Sequence, residues 1–191
     1  MRINNNKLNL SFGRQALMTC FVKDKETNEK CPATLYKMDA LNADDFNDVM
    51  ASKNTIDIKR AMEADFFKRR TYGDFFILQN DKTKEVMGCA EKETHYKNVN
   101  DVDNGFVTVI NTLSGNNKYL NPQEPIFIYL VNESKDCFRN AITMGTGDDI
   151  QYNLRGVKFT KNKTNDLVLR QRAFDSYLQQ SEPRYNIEYL A

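Results

Sequence analysis

Tryptophan is absent from this chain, histidine occurs once, and the four cysteines lie far apart. A structural zinc site gathers four nitrogen or sulfur ligands, two of them usually in a short local spacing. Cys20, Cys31, Cys89 and Cys137 form no such pair and His95 has no second histidine, so no metal centre is expected. Cys20 and Cys31 flank a turn and would meet across a hairpin in one register only, which makes reduced, partly buried thiols the expected state. Long apolar runs are missing too: nowhere do eighteen apolar residues follow one another, and residues 1–9 are polar, without the apolar centre of a signal peptide. No membrane partner is expected, and the location that follows is cytoplasmic.

An excess of one charge is also lacking. The 27 basic residues nearly balance 26 acidic ones, leaving +1, so no global field draws the molecule to nucleic acid. The basic triplet Lys68, Arg69 and Arg70 falls at the end of an expected helix, where cations complement the helix dipole. What is present is an ordinary globular composition: 40% hydrophobic and 28% charged over 191 residues, enough for one well-buried domain.

Residues 16–22 and 33–38 suit the strands of an N-terminal hairpin around a charged turn. Asn42 with Asp45 three places on, between Leu41 and Phe46 at staple spacing, starts a helix to about residue 52. Ile58, Met62 and Phe66 share one face of a second helix over 56–68. Residues 75–79 and 85–96 predict a second hairpin, and 106–113 a further strand. Asn121 as cap, Pro122 in the first turn and Glu124 three residues after Asn121 predict the start of a helix that runs over 126–138 and is the most buried of all. Residues 141–146 then read as a strand, Gly147 to Gly156 as a short helix, and 157–160 with 167–169 as a last hairpin. A helix over 171–180 should stop before Pro183, and Tyr185, Ile187 and Tyr189 alternate as an edge strand does.

In that order, residues 33–170 read strand, helix, helix, strand, strand, strand, helix, strand, helix, strand, strand. Together with the hairpin at Lys84 to Gly88, the apolar helix after the fourth strand and the string from Tyr152 to Gly156, which fits Tyr-x-x-x-Gly, this succession resembles the GCN5-related N-acetyltransferase (GNAT) fold. The resemblance implies an α/β domain over 33–170 with a mixed, mostly antiparallel central sheet flanked by helices. Residues 1–32 would extend it by strands, and 171–191 would pack on it as a helix and tail.

The resemblance further implies acetyl-CoA as donor and an amine of a small molecule or protein as acceptor. The backbone of Asn111, Thr112 and Leu113 would line the pantetheine arm, and Tyr152 would be the general acid that protonates the departing thiolate. The family's Gln/Arg-x-x-Gly-x-Gly/Ala loop offers amides to the pyrophosphate at a helix N-terminus. Its counterpart here, about residues 118–125, holds no glycine and two prolines that lack an N–H. Lys118 and the amides of Leu120, Asn121, Gln123 and Glu124 remain as donors, beside the wrong-signed charge of Glu124.

A base is read from the residues themselves. Glu91, Glu93 and His95 alternate along one strand and so share a face, where any of them could take a proton from an attacking amine. A solvated sheet face is the other reading of the same three residues. Asp148 and Asp149 read as negative charge at a helix start, and Cys137 as part of helix packing. Two functions therefore stand side by side: acyl-CoA-dependent N-acyl transfer, and a non-catalytic GNAT-fold interaction module that has lost CoA binding. A homodimer through a sheet edge or the C-terminal tail is the self-association expected.

Overall fold

A computed structural model of the chain describes residues 14–38, 73–97, 105–144, 160–161 and 167–190. The helices expected over 42–52 and 56–68, the basic triplet and the Tyr152 to Gly156 string lie outside the described residues. In chain order the elements are β1 (Gln15–Lys23), β2 (Lys30–Met38), β3 (Asp74–Asn80), β4 (Val86–Lys97), β5 (Gly105–Gly115), α1 (Gln123–Asp136), β6 (Ala141–Met144), β7 (Thr160–Lys161), β8 (Leu167–Arg170), α2 (Phe174–Tyr185) and β9 (Glu188–Tyr189). A 3-10 turn at Gln171–Ala173 leads into α2.

All the described strands join one sheet in the order β7-β8-β6-β5-β4-β3-β2-β1-β9. Neighbours are antiparallel except β5 and β6, which run parallel with α1 as their crossover. This is the mixed, mostly antiparallel α/β architecture expected from the sequence. The apolar run of β3 explains its central place: Phe76 and Leu78 enter the core beneath α1 and α2, while Phe75 and Ile77 join Met38, Val86 and Cys89 on the opposite face. A strand buried on both faces reads as continuous rather than alternating apolar sequence.

The β1–β2 and β3–β4 turns are the same device built twice. Asp24 and Asn80 each accept two backbone N–H groups through Oδ1, from Glu26 and Thr27 in one turn and Lys82 and Thr83 in the other. Thr27 and Thr83 each accept the amide two residues on, and the position between them is left-handed, Asn28 at φ 57 and Lys84 at φ 60. The backbone bonds Asp24 N–H to Glu29 O and Asn80 N–H to Glu85 O close the two loops. The side-chain turn, not the charge, is what the shared sequence encodes.

Two helices depart from expectation. α1 begins at Gln123, earlier than expected, and ends at Asp136. No capping box forms, since Asn121 is left-handed at φ 50, Pro122 takes the cap position with helical backbone, and no side chain caps the turn. Glu124, cast from sequence as the box's return carboxylate, turns inward instead. At the other end Phe138 sits left-handed at φ 54 while the Arg139 N–H reaches Ser134 O, a close that glycine normally provides. α2 runs through Pro183 to Tyr185 rather than stopping before it. The proline falls in the last turn, where little of the helix remains to be disrupted, and left-handed Asn186 ends it instead.

The C-terminal residues return to the far edge of the sheet. β9 pairs with Met18 and Thr19 of β1, and the Leu190 N–H donates to Leu17 O. Further along the same edge, Leu120 N–H donates to Lys23 O and Lys25 N–H to Lys118 O, so the β5–α1 loop closes the strand's other end.

Candidate functional site

The parallel pair β5–β6 is described over four residues of each strand. Val107 faces Ala141 and the register continues to Ile110 against Met144, after which β5 runs on to Gly115 with no strand beside it on that side among the described residues. The residue of β5 after Ile110 lies at a bulge. Glu91 of β4 pairs with Thr112 and the next residue, Lys92, pairs with Ile110, so Asn111 is an extra residue on β5. A bulge bends its strand and re-aims the side chain it inserts. Asn111, Thr112 and Leu113 form the stretch of β5 beyond its pairing with the described residues of β6.

Asn111 turns its side-chain amide to β4. Its Nδ2 donates to Glu93 Oε1 at 2.9 Å, and the other oxygen of that carboxylate lies 2.6 Å from His95 Nε2. Glu93 is nearly covered, with 11% side-chain exposure, whereas His95 keeps 51%. The result is a row of three groups: an amide that orients a carboxylate, which in turn holds an accessible imidazole.

Glu91 shares the face of Glu93 and His95 by strand alternation and is fully buried. A solvated face does not describe it. Its carboxylate lies where a Cβ on Gly73 would come within 2.7 Å of Oε1, so glycine at 73 makes the room. Lys92 points the other way, toward α1, where it pairs with Glu133, stands 3.7 Å from Asp74 and lies over the Phe76 ring. Burial and the carboxylates of Glu133 and Asp74 push the Tyr129 hydroxyl beside this cluster up to about 12.

The segment between β5 and α1 is packed down and internally bonded. Asn116 N–H donates to Met87 O, Tyr119 N–H to Asn116 O, Leu120 N–H to Lys23 O and Glu124 N–H to Asn121 O, while Lys118 N–H goes to Asn116 Oδ1. The Lys118 ammonium pairs with Glu85 at 3.1 Å and lies over the Tyr119 ring, and its pKa is raised chiefly by that hydrogen bond to Glu85. The buried Tyr119 hydroxyl donates to the same carboxylate at 2.7 Å. Two glycines permit the close approach: a Cβ on Gly88 would meet Pro122 O at 3.3 Å, and one on Gly115 would meet Pro122 Cγ at 2.8 Å. Gln123, the first residue of α1, crowds Gly115 from the same side, its Oε1 2.5 Å from that Cβ position.

Glu124, in the first turn of α1, is fully buried. Its Oε1 accepts from Arg184 Nη1 at 2.9 Å and its Oε2 from the Tyr185 hydroxyl at 2.6 Å, both at the end of α2. Arg184 retains 32% side-chain exposure. Burial, followed by the bond to Glu124, holds the Tyr185 hydroxyl well above the usual phenol range. Sequence reading missed this cluster because its members lie sixty residues apart and carry no local spacing signal.

No metal-binding group of three or more His, Cys, Asp or Glu occurs among the described residues. Cys20 pairs with Ala33 and Cys31 with Val22, so the two thiols are not opposite one another and stay free, and burial pushes the Cys20 thiol up to about 12. Cys137 is exposed rather than packed. Among the described residues, no helix is long and apolar enough to cross a membrane.

No family model matches the sequence, and no curated protein does. Solved structures do. The crystal structure of a KacTA–DNA complex matches with a TM-score of 0.55 at 9% identity, over 78% of this chain and 99% of that one. A GNAT family N-acetyltransferase, YhbS from Escherichia coli in complex with CoA, matches at 0.49 and 12% identity, over 78% and 86%. A cAMP-binding acyltransferase from Mycobacterium smegmatis matches at 0.40 and 7% identity, over 87% of this chain and 56% of that protein. At such identities the likeness speaks for the fold alone. With the strand order and the parallel pair β5–β6, it gives this chain a GNAT-like fold.

Proposed function

We propose that the chain transfers an acyl group from a pantetheine thioester, acetyl-CoA among them, to the amine of a small molecule or protein. The observation that carries this reading is the row Asn111, Glu93, His95, with Asn111 at the bulge of β5 next to the β5–β6 parallel pair. In the proposed step the His95 nitrogen not engaged by Glu93 accepts a proton from the amine as its nitrogen bonds to the acyl carbon. Glu93 stabilises the imidazolium, Asn111 fixes Glu93, and the carbon–sulfur bond breaks. Tyr152 protonates the departing thiolate, and the backbone of Asn111, Thr112 and Leu113 runs along the donor's arm.

The test is acetyl transfer to mixed amines by the full chain. His95→Gln should lower kcat/KM about 100-fold with the melting temperature kept, the size of effect that loss of a general base produces. Tyr152→Phe should lower kcat while leaving donor binding intact. Unchanged turnover in His95→Gln would remove the imidazole from the mechanism.

A second reading, an interaction module without catalysis, is favoured by one observation: the β5–α1 loop spends its amides on internal bonds and buries Glu124 at the helix start. Absence of transfer from either acetyl-CoA or S-acetyl-pantetheine would make this reading the working one.

A further inference from the structure

The start of α1 has the physics of an anion site and already contains an anion. Helix N-terminal N–H groups and their dipole favour negative charge within the first turn. Glu124 supplies that charge from inside the helix, is fully buried, is ion-paired with Arg184 and accepts a hydrogen bond from the Tyr185 hydroxyl. Most amides of the surrounding loop are absent or already bonded. Pro122 and Pro125 have no N–H, and the amides of Lys118, Tyr119, Leu120 and Glu124 are taken. Gly88 and Gly115 let the Pro122 segment sit directly on β4 and β5.

We infer that Glu124 is a specificity residue: its carboxylate fills the anion site of α1, so that a thioester donor is recognised through its acyl-pantetheine arm and not through its diphosphate. The statement about the donor rests on the acyl-transfer reading, whereas the filled anion site stands without it. A diphosphate brought to this turn would face a buried carboxylate whose counter-charge is already used.

Two measurements decide the matter. Glu124→Ala vacates the site and leaves the Arg184 side chain, about a third exposed, facing it. Its melting temperature should rise by about 3 °C more in sodium formate than in sodium chloride of equal ionic strength, while the native chain shows no difference. Absence of a formate-specific rise in the variant, or an equal rise in the native chain, overturns the inference. Should Glu124→Ala fail to fold, Glu124→Gln keeps the shape and removes the charge, and the same comparison is read on it. In calorimetry, CoA and pantetheine should bind the native chain within about threefold of each other, and CoA binding more than about thirtyfold tighter would overturn the donor preference. If neither binds while formate rescue is seen, acyl transfer falls and the self-filled anion site is upheld.

Discussion

Single residues in this fold carry backbone costs that their neighbours reveal. The two twin turns differ at the left-handed position, where Asn28 has a short polar side chain suited to that conformation and Lys84 does not. Lys84 is exposed, so its replacement tests the backbone alone. Lys84→Asn should stabilise the protein by about 0.5–1 kcal/mol, and the reciprocal Asn28→Lys should destabilise it by a similar amount, both read as shifts of the urea midpoint at constant m-value. Phe138 poses the same question at the end of α1, where it is left-handed and 81% exposed. Phe138→Gly should raise stability by about 1 kcal/mol, measured by thermal melting. A loss there would show that the ring makes a contact worth more than the strain. None of this was legible from composition: the sequence marks both loops as charged, and the recurrence of a side-chain oxygen with a threonine three residues later becomes informative only when the bonds are seen.

Elements were legible where one local pattern dictates them. The apolar run of β3 and the aromatic and β-branched β5 lie where residue type alone places them, within a residue or two of the observed bounds. The starts and stops that failed are those governed by distant partners. Asn121 and Glu124 have capping-box spacing, yet Glu124 is drawn away by Arg184 and Tyr185, and Pro183 is carried inside a helix whose other residues pack on α1. The candidate base strand was readable by alternation, but Asn111's hold on Glu93 needed the bulge, which no periodicity announces. β9 is a further case, a two-residue strand whose role is set by β1. It covers Met18 and Thr19, and an open edge there would offer unpaired N–H and C=O groups to a second chain. Removing residues 187–191 should therefore raise self-association, seen as concentration-dependent mass in light scattering. The full chain should show less of it, and equal behaviour of the two would show that β9 does not guard the edge.

At the scale of the whole molecule, the order of the described elements was readable and the distribution of buried phenols and thiols was not, yet the latter governs how the fold responds to pH. Tyr177 is buried against Phe127, and desolvation holds its hydroxyl far above the ordinary phenol range, with the Glu124 charge adding to the shift. Tyr185 is raised by burial and by its bond to Glu124, and Cys20 is pushed up to about 12 by burial. Each is a group whose neutral form the fold prefers. Its stabilisation is complete below the unfolded pKa and is lost as pH rises toward the folded value, because the unfolded chain then binds fewer protons than the native one. The thiol acts first, above about pH 9, and the phenols join above about pH 10. Stability should fall with pH over this range, each fully buried group adding a slope of about 1.4 kcal/mol per pH unit while it is ionised only in the unfolded chain. Urea unfolding of the native chain between pH 8 and 11 reads that slope. Cys20→Ala should flatten the portion between pH 9 and 10 and leave the steeper part above pH 10 in place. A flat profile to pH 11 would show that these groups ionise as readily in the fold as out of it, and so that the core around α1 and α2 admits water.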